Sequence, residues 1–173
     1  MREVATRARI ERFLHELAAA ATAPTTVYLV GGTTAVLIGW RDSTRDVDLV
    51  IRPESDAMLR AIPALKERLA LNVELAAPDQ FIPVPAGWEA RSPEVARIGQ
   101  VTVKHYDLTA QALAKIERGH ARDLDDVRAM LAAGLVTPTG LREAFDHAAP
   151  QLYRYPAVDP AAYRRALDTA LAP

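Results

Sequence analysis

Apolar residues enter the chain at helical spacing. Ile10, Phe13, Leu14 and Leu17 follow an i, i+3, i+4, i+7 pattern, while Arg7, Arg9, Glu11, Arg12 and Glu16 fall elsewhere, which predicts an amphipathic helix over 2–21. Ala23-Pro24 ends it. The period then changes. Thr25–Val30 is rich in β-branched residues and reads as a strand, followed by Gly31-Gly32 as a turn and a short buried helix over 33–39. Asp46–Ile51 reads as a second strand, closed by Arg52-Pro53. Residues 55–69 are helical, with Leu59, Ile62, Leu65 and Leu69 on one side and Pro63 expected to kink the helix or start a new one. Asn72–Ala76 predicts a third strand, 78–92 a loop holding Phe81 and Trp88, and 95–106 one or two further strands.

From there the pattern is helical only, over about 109–118, 123–133, 138–149 and 160–171, punctuated by Gly119, Gly134 to Pro138 and Pro156 to Pro160. Strands alternating with helices, then helices alone, predict an α+β fold: a small mixed β-sheet flanked by helices, with an all-helical C-terminal part. At 173 residues the expectation is a single domain over 1–173, with its core in 22–108 and its helical part in 109–173.

Composition narrows the function classes. With no cysteine, disulfides, thiolate metal sites and thiol catalysis are excluded. A net charge of -1 argues against a broad nucleic-acid-binding surface but leaves room for a local basic groove. No apolar run approaches a membrane span, and the N-terminus lacks the apolar segment of a signal peptide, so the expectation is a cytoplasmic protein without membrane contact. The four histidines, His15, His105, His120 and His147, show no mutual ligand spacing.

The chemistry concentrates in 28–51, YLVGGTTAVLIGWRDSTRDVDLVI. Asp46 and Asp48 project to the same strand face, about 7 Å apart along the strand. Paired carboxylates repel unless a cation sits between them. The pair beside Gly31-Gly32 therefore points to a divalent-metal site next to a phosphate cradle. Gly31 and Gly32 remove side chains where backbone would approach phosphate, the helix that follows offers free N–H groups, and Thr33 and Thr44 would add hydroxyl contacts. Each feature also has an ordinary explanation: a tight strand-to-helix turn, or two carboxylates on a solvated edge.

The pattern Gly31-Gly32 … Asp46-Val47-Asp48-Leu49 resembles the nucleotidyltransferase superfamily of the DNA polymerase β type, with a longer spacer than usual. Together with the later N-V-E-L and K-I-E-R-G-H-A-R-D-L-D-D-V, it is similar to small bacterial nucleotidyltransferase-like proteins and to the nucleotidyltransferase toxins of abortive-infection, type IV toxin–antitoxin systems. The resemblance covers roughly 25–133. It implies transfer of a nucleoside monophosphate from a nucleoside triphosphate to an RNA or protein acceptor. It also implies Mg²⁺ as cofactor and a cognate antitoxin or toxin protein as partner.

In such a reaction two Mg²⁺ ions stabilise both ends of an in-line displacement. Asp46 and Asp48 would bind both, and a third carboxylate on a neighbouring strand would hold the acceptor-side ion, with Glu74 the candidate and Asp79 the rival. The resemblance further implies Lys115 as a phosphate-neutralising cation and places Asp123 at the late acidic position. Against these stand a solvated lysine for Lys115 and, for Asp123 with Asp126, a helix start with Asp123 near the N-cap. Arg45, Arg91 and Arg122 are weaker candidates for phosphate or acceptor. Two rival functions remain: an antitoxin-like protein adenylyltransferase that silences a partner toxin, and a nucleotide-binding regulatory module without turnover.

Overall fold

The computed structural model describes residues 3–172, which divide into two compact units. The first comprises residues up to 77 together with 92–106; the second comprises 78–91 and 107 onward.

The first unit is built on a five-stranded mixed sheet. Its elements begin with strand β1 (Ala5–Thr6), helix α1 (Arg7–Ala18), strand β2 (Thr25–Val30) and helix α2 (Gly31–Ile38). Strands β3 (Ser43–Thr44) and β4 (Asp46–Arg52), helix α3 (Asp56–Arg68) and strand β5 (Asn72–Leu75) follow. After a segment that belongs to the second unit come β6 (Glu94–Ile98) and β7 (Val101–His105). The order across the sheet is β5-β4-β2-β7-β6. β4 runs antiparallel to β2 and parallel to β5; β2 runs parallel to β7; β6 and β7 form an antiparallel hairpin.

Strand alternation sorts the side chains. Val27, Leu29, Val47, Leu49, Ile51, Val101 and Val103 share the face that packs with Ile10, Phe13, Leu14 and Leu17 of α1 and Met58, Ile62 and Leu65 of α3. Asp46 and Asp48 take the other face, both half-buried, with Asp48 between the buried Val47 and Leu49. A one-residue slip of β4 would exchange the two sets, so burial of Val47 and Leu49 fixes the aspartates' side of the sheet.

Four local expectations need adjustment. The chain entering α1 is a strand at Ala5–Thr6, paired antiparallel with Ser43–Thr44, and the helix itself ends at Ala18. Gly31 and Gly32 are not a turn ahead of α2; they are its first two residues. Pro63 starts no new helix, since α3 runs unbroken through it. The loop expected over 78–92 also carries structure, a 3₁₀ turn at Pro78–Gln80 and a short helix α4 at Trp88–Arg91.

In the second unit α5 (Leu108–Arg118), α6 (Ala121–Ala132), α7 (Pro138–Ala148) and α8 (Pro160–Ala170) carry the four predicted helices. Asp107 caps α5 by accepting from the Thr109 N–H, and Arg91 donates to the same carboxylate at 2.7 Å. Tyr163 of α8 donates its hydroxyl to the Leu113 carbonyl at 3.0 Å and packs edge-on against Phe145. Among the described residues no helix is long and apolar enough to cross a membrane.

Candidate active site

Eight of the candidate site residues singled out from the sequence, Arg45 among them, lie in the first unit around the β2–α2 junction and the β4–β5 pair. Gly31 has φ +58°, a left-handed conformation that side chains resist. A Cβ there would also sit 2.8 Å from Asp48 Oδ2, so the Asp48 carboxylate stands directly over the first residue of α2. Gly32 is needed for a different reason. A Cβ on it would lie 2.0 Å from Thr44 Oγ1, because β1 holds β3 and thereby presses the buried Thr44 against α2. Arg41 Nη1 lies 3.6 Å from the same point. The two glycines thus admit a carboxylate and a hydroxyl from β4 and β3, and the expected open approach for phosphate is at Gly32 already partly filled by Thr44.

Thr33 is fully buried and its Oγ1 accepts the Asp48 backbone N–H at 2.9 Å. That bond ties the start of α2 to the strand carrying both aspartates. Val30 at the N-cap of α2 offers no side-chain hydrogen bond to the helix.

Register brings the third carboxylate in. In the parallel β4–β5 pair, Asp46 faces Asn72 and Asp48 faces Glu74, so all four side chains share one sheet face. Glu74 is exposed. Asn72 Nδ2 donates to Asp46 Oδ1 in a short contact and to Glu74 Oε1 in a long one of 3.4 Å. Asn72 was not singled out from the sequence, although the alternation of N-V-E-L already places it on the Glu74 face. Glu74's rival for the third carboxylate, Asp79, falls in the 3₁₀ turn of the second unit, where the Tyr155 hydroxyl donates to its carbonyl. A groove of about 420 Å³ opens beside Asp46 and Asn72, walled by Glu3, Val4 and Arg45.

Lys115 and Asp123 lie in the second unit. Lys115 is 4% exposed and donates to Asp126 at 2.6 Å and to Asp123 at 3.2 Å. Arg118 donates twice to Asp123, at 2.8 Å each. Burial pushes the Asp123 carboxyl up, but the Arg118 hydrogen bonds and the Lys115 and Arg118 charges outweigh it and hold the group below the usual carboxylate range. Lys115 is therefore no solvated helix lysine: it joins α5 to α6. Asp123 does lie near the N-cap of α6, a position His120 occupies, in the first turn of the helix. Arg91 is likewise engaged, with Asp107 and the Pro85 and Ala86 carbonyls.

Among the described residues no group of three or more His, Asp and Glu side chains is arranged to hold a metal ion. Asp46 and Asp48, with Glu74 in register, instead offer a partial set that would need phosphate oxygens and water to complete a coordination shell. That is the usual manner of Mg²⁺.

The chain matches a family model described as a nucleotidyltransferase of unknown function (DUF6036) over residues 8–155, most of its length. The chain belongs to this family. No curated protein and no solved structure matches it. The mixed sheet with flanking helices and C-terminal helices is a fold of nucleotidyltransferase type, and family membership supports a transferase.

Proposed function

We propose that this nucleotidyltransferase-family protein transfers a nucleoside monophosphate from a nucleoside triphosphate to an RNA or protein acceptor, with Mg²⁺ as cofactor. The observation that carries the proposal is the Asp48 carboxylate standing over left-handed Gly31 at the start of α2, with Asp46 and Glu74 on the same sheet face. Carboxylates beside a helix N-terminus repel a triphosphate unless a divalent cation bridges them, and Asp46, Asp48 and Glu74 are the residues that would hold it. When bound, the cation neutralises charge on the phosphates and activates the acceptor hydroxyl.

The protein's own contribution is positioning. The positive end of the α2 dipole would face incoming phosphate, and the Arg41 guanidinium lies beside Gly32. Thr33 keeps Asp48 in register with them. The groove beside Asp46, with Arg45 on its wall, is the entrance for the acceptor. Lys115 and Asp123 enter as the members that hold α5 to α6, in place of the phosphate-binding and catalytic roles that the resemblance implies. The biological setting that fits the resemblance is a two-gene toxin–antitoxin module in the cytoplasm. There the chain acts as the toxin, its cognate antitoxin protein is its partner, and the reaction silences the acceptor.

Incubation with labelled triphosphates and cell lysate, followed by separation of RNA from protein, tests the proposal. Label should appear in one fraction only with Mg²⁺ present and should vanish with Asp48→Ala. Expression of the chain alone then separates the roles: growth arrest marks a toxin, and its absence an antitoxin-like enzyme. Absence of label in both fractions with every triphosphate would support the regulatory module without turnover.

A further inference from the structure

We infer that Asn72 is a positioning residue of this site, one that locks the acceptor-side carboxylates Asp46 and Glu74 into a shared geometry; the inference rests on the cation-dependent reading above. Asp46 heads β4 and Glu74 lies on the neighbouring parallel strand, diagonal to it. Left alone, the two carboxylates would turn apart, since like charges on one face repel. Asn72 stands opposite Asp46 and two residues before Glu74, so its side chain shares their face. Its amide donates one hydrogen bond to each, through the same Nδ2.

No other hydrogen bond or ion pair ties down the Asp46 or Glu74 side chain among the described residues. The amide therefore sets their rotamers. An amide N–H satisfies only part of a carboxylate's capacity, because two oxygens offer about four acceptor sites. The remaining lone pairs stay available to a cation. A neutral donor suits this task better than Lys or Arg would: it orients the acids without cancelling the charge that attracts the ion. The side chain also lines the groove beside Asp46, so it acts where the acceptor would enter.

Partners that hydrogen-bond ligating carboxylates are worth about 10–100-fold in metal affinity. The test is a Mn²⁺ titration of the full chain, followed by the electron paramagnetic resonance signal of free Mn²⁺, with thermal melts run alongside. Asn72→Ala should weaken Mn²⁺ binding by about 10–100-fold. Asn72→Asp keeps the shape but replaces the donor by a third carboxylate. It should melt below the wild type without Mn²⁺ and gain more melting temperature from Mn²⁺ than the wild type gains. A purely structural role would lower both variants' stability without altering their response to Mn²⁺. Wild-type affinity in Asn72→Ala, or a wild-type Mn²⁺ response in Asn72→Asp, overturns the positioning role while leaving the cation reading intact. A wild-type chain that binds no Mn²⁺ overturns both. If Asn72→Ala does not fold, the melts of Asn72→Asp decide alone.

Discussion

Two clusters of charge, one in each unit, are built on opposite plans. In the second unit, Lys115 and Arg118 meet Asp123 and Asp126 through four hydrogen bonds, three of the four side chains being buried. Two cations face two carboxylates, so the cluster carries its own counter-charges. In the first unit, Asp46, Asp48 and Glu74 share one sheet face, half-buried to exposed, and Asp46 and Glu74 are held by a neutral amide. Buried charges persist when their partners come with them; three carboxylates on one sheet face are a set that an added cation would stabilise. The proposal accordingly places chemistry in the cluster on the sheet and stability in the cluster between α5 and α6.

The widest separation of these roles should come from substitutions in the acid-rich cluster. Asp46→Ala and Asp48→Ala should each reduce nucleotide transfer about a thousandfold, equivalent to about 4 kcal/mol, in a Mg²⁺-dependent single-turnover assay. Their melting temperatures should remain near wild type, because each change relieves repulsion. The mirror result is expected from Lys115→Ala, which leaves Asp126 buried without its 2.6 Å partner. Breaking such a pair costs about 3–5 kcal/mol, measurable by urea unfolding. A stable Lys115→Ala that had lost only triphosphate affinity would instead return Lys115 to phosphate binding.

Acid should sharpen the comparison further, by failing the first unit before the second. His105 is 7% exposed, with Nδ1 3.1 Å from Thr34 Oγ1, whose proton goes to the Leu29 carbonyl at 3.0 Å. Burial, with the Arg7 charge adding to it, pushes this imidazole down to about 4. The folded state therefore keeps His105 neutral while the unfolded chain takes up a proton near pH 6.5. Its contribution is whole above that pH and is lost as the pH falls towards 4, by up to about 3 kcal/mol. Asp123 has a lowered pKa, so its contribution to the second unit is present above the ordinary Asp value and is lost only in stronger acid. Chemical denaturation at a series of pH values should show the upper loss, and His105→Gln should remove it.

The smallest effect concerns the junction itself. Gly32→Ala puts a Cβ where Thr44 Oγ1 stands, 2.0 Å away, and should destabilise by about 1–3 kcal/mol. Removing the obstructing hydroxyl with Thr44→Ala in the same chain should recover part of that loss. No recovery in the double mutant would mean that the space at Gly32 serves something other than Thr44.

Much of this was legible from period alone. The β-branched run at Thr25–Val30 is a strand over those residues, and the four C-terminal helices lie within a few residues of their expected places, because each buries one face within its own unit. Alternation also placed Asp46 and Asp48 on one side of a sheet. What period cannot carry is register between elements. β1 and β3 are two residues each and form only because they pair with one another. Asn72 opposite Asp46, Thr44 against Gly32 and Lys115 against Asp126 are likewise meetings of distant positions. The spacing of Lys115 and Asp126 across a short helix–helix turn was the one such signal within reach, and it was read as phosphate binding weighed against a solvated lysine and a helix start instead.

The most direct measurement is pyrophosphate release from mixed nucleoside triphosphates by the wild-type chain with its acceptor fraction, with and without Mg²⁺, beside Asp48→Ala and Lys115→Met. Release that requires Mg²⁺, disappears in Asp48→Ala and survives in every Lys115→Met molecule that stays folded is the predicted result. Release that persists in Asp48→Ala, or that is lost in a folded Lys115→Met, would contradict the assignment of chemistry to the first cluster and stability to the second.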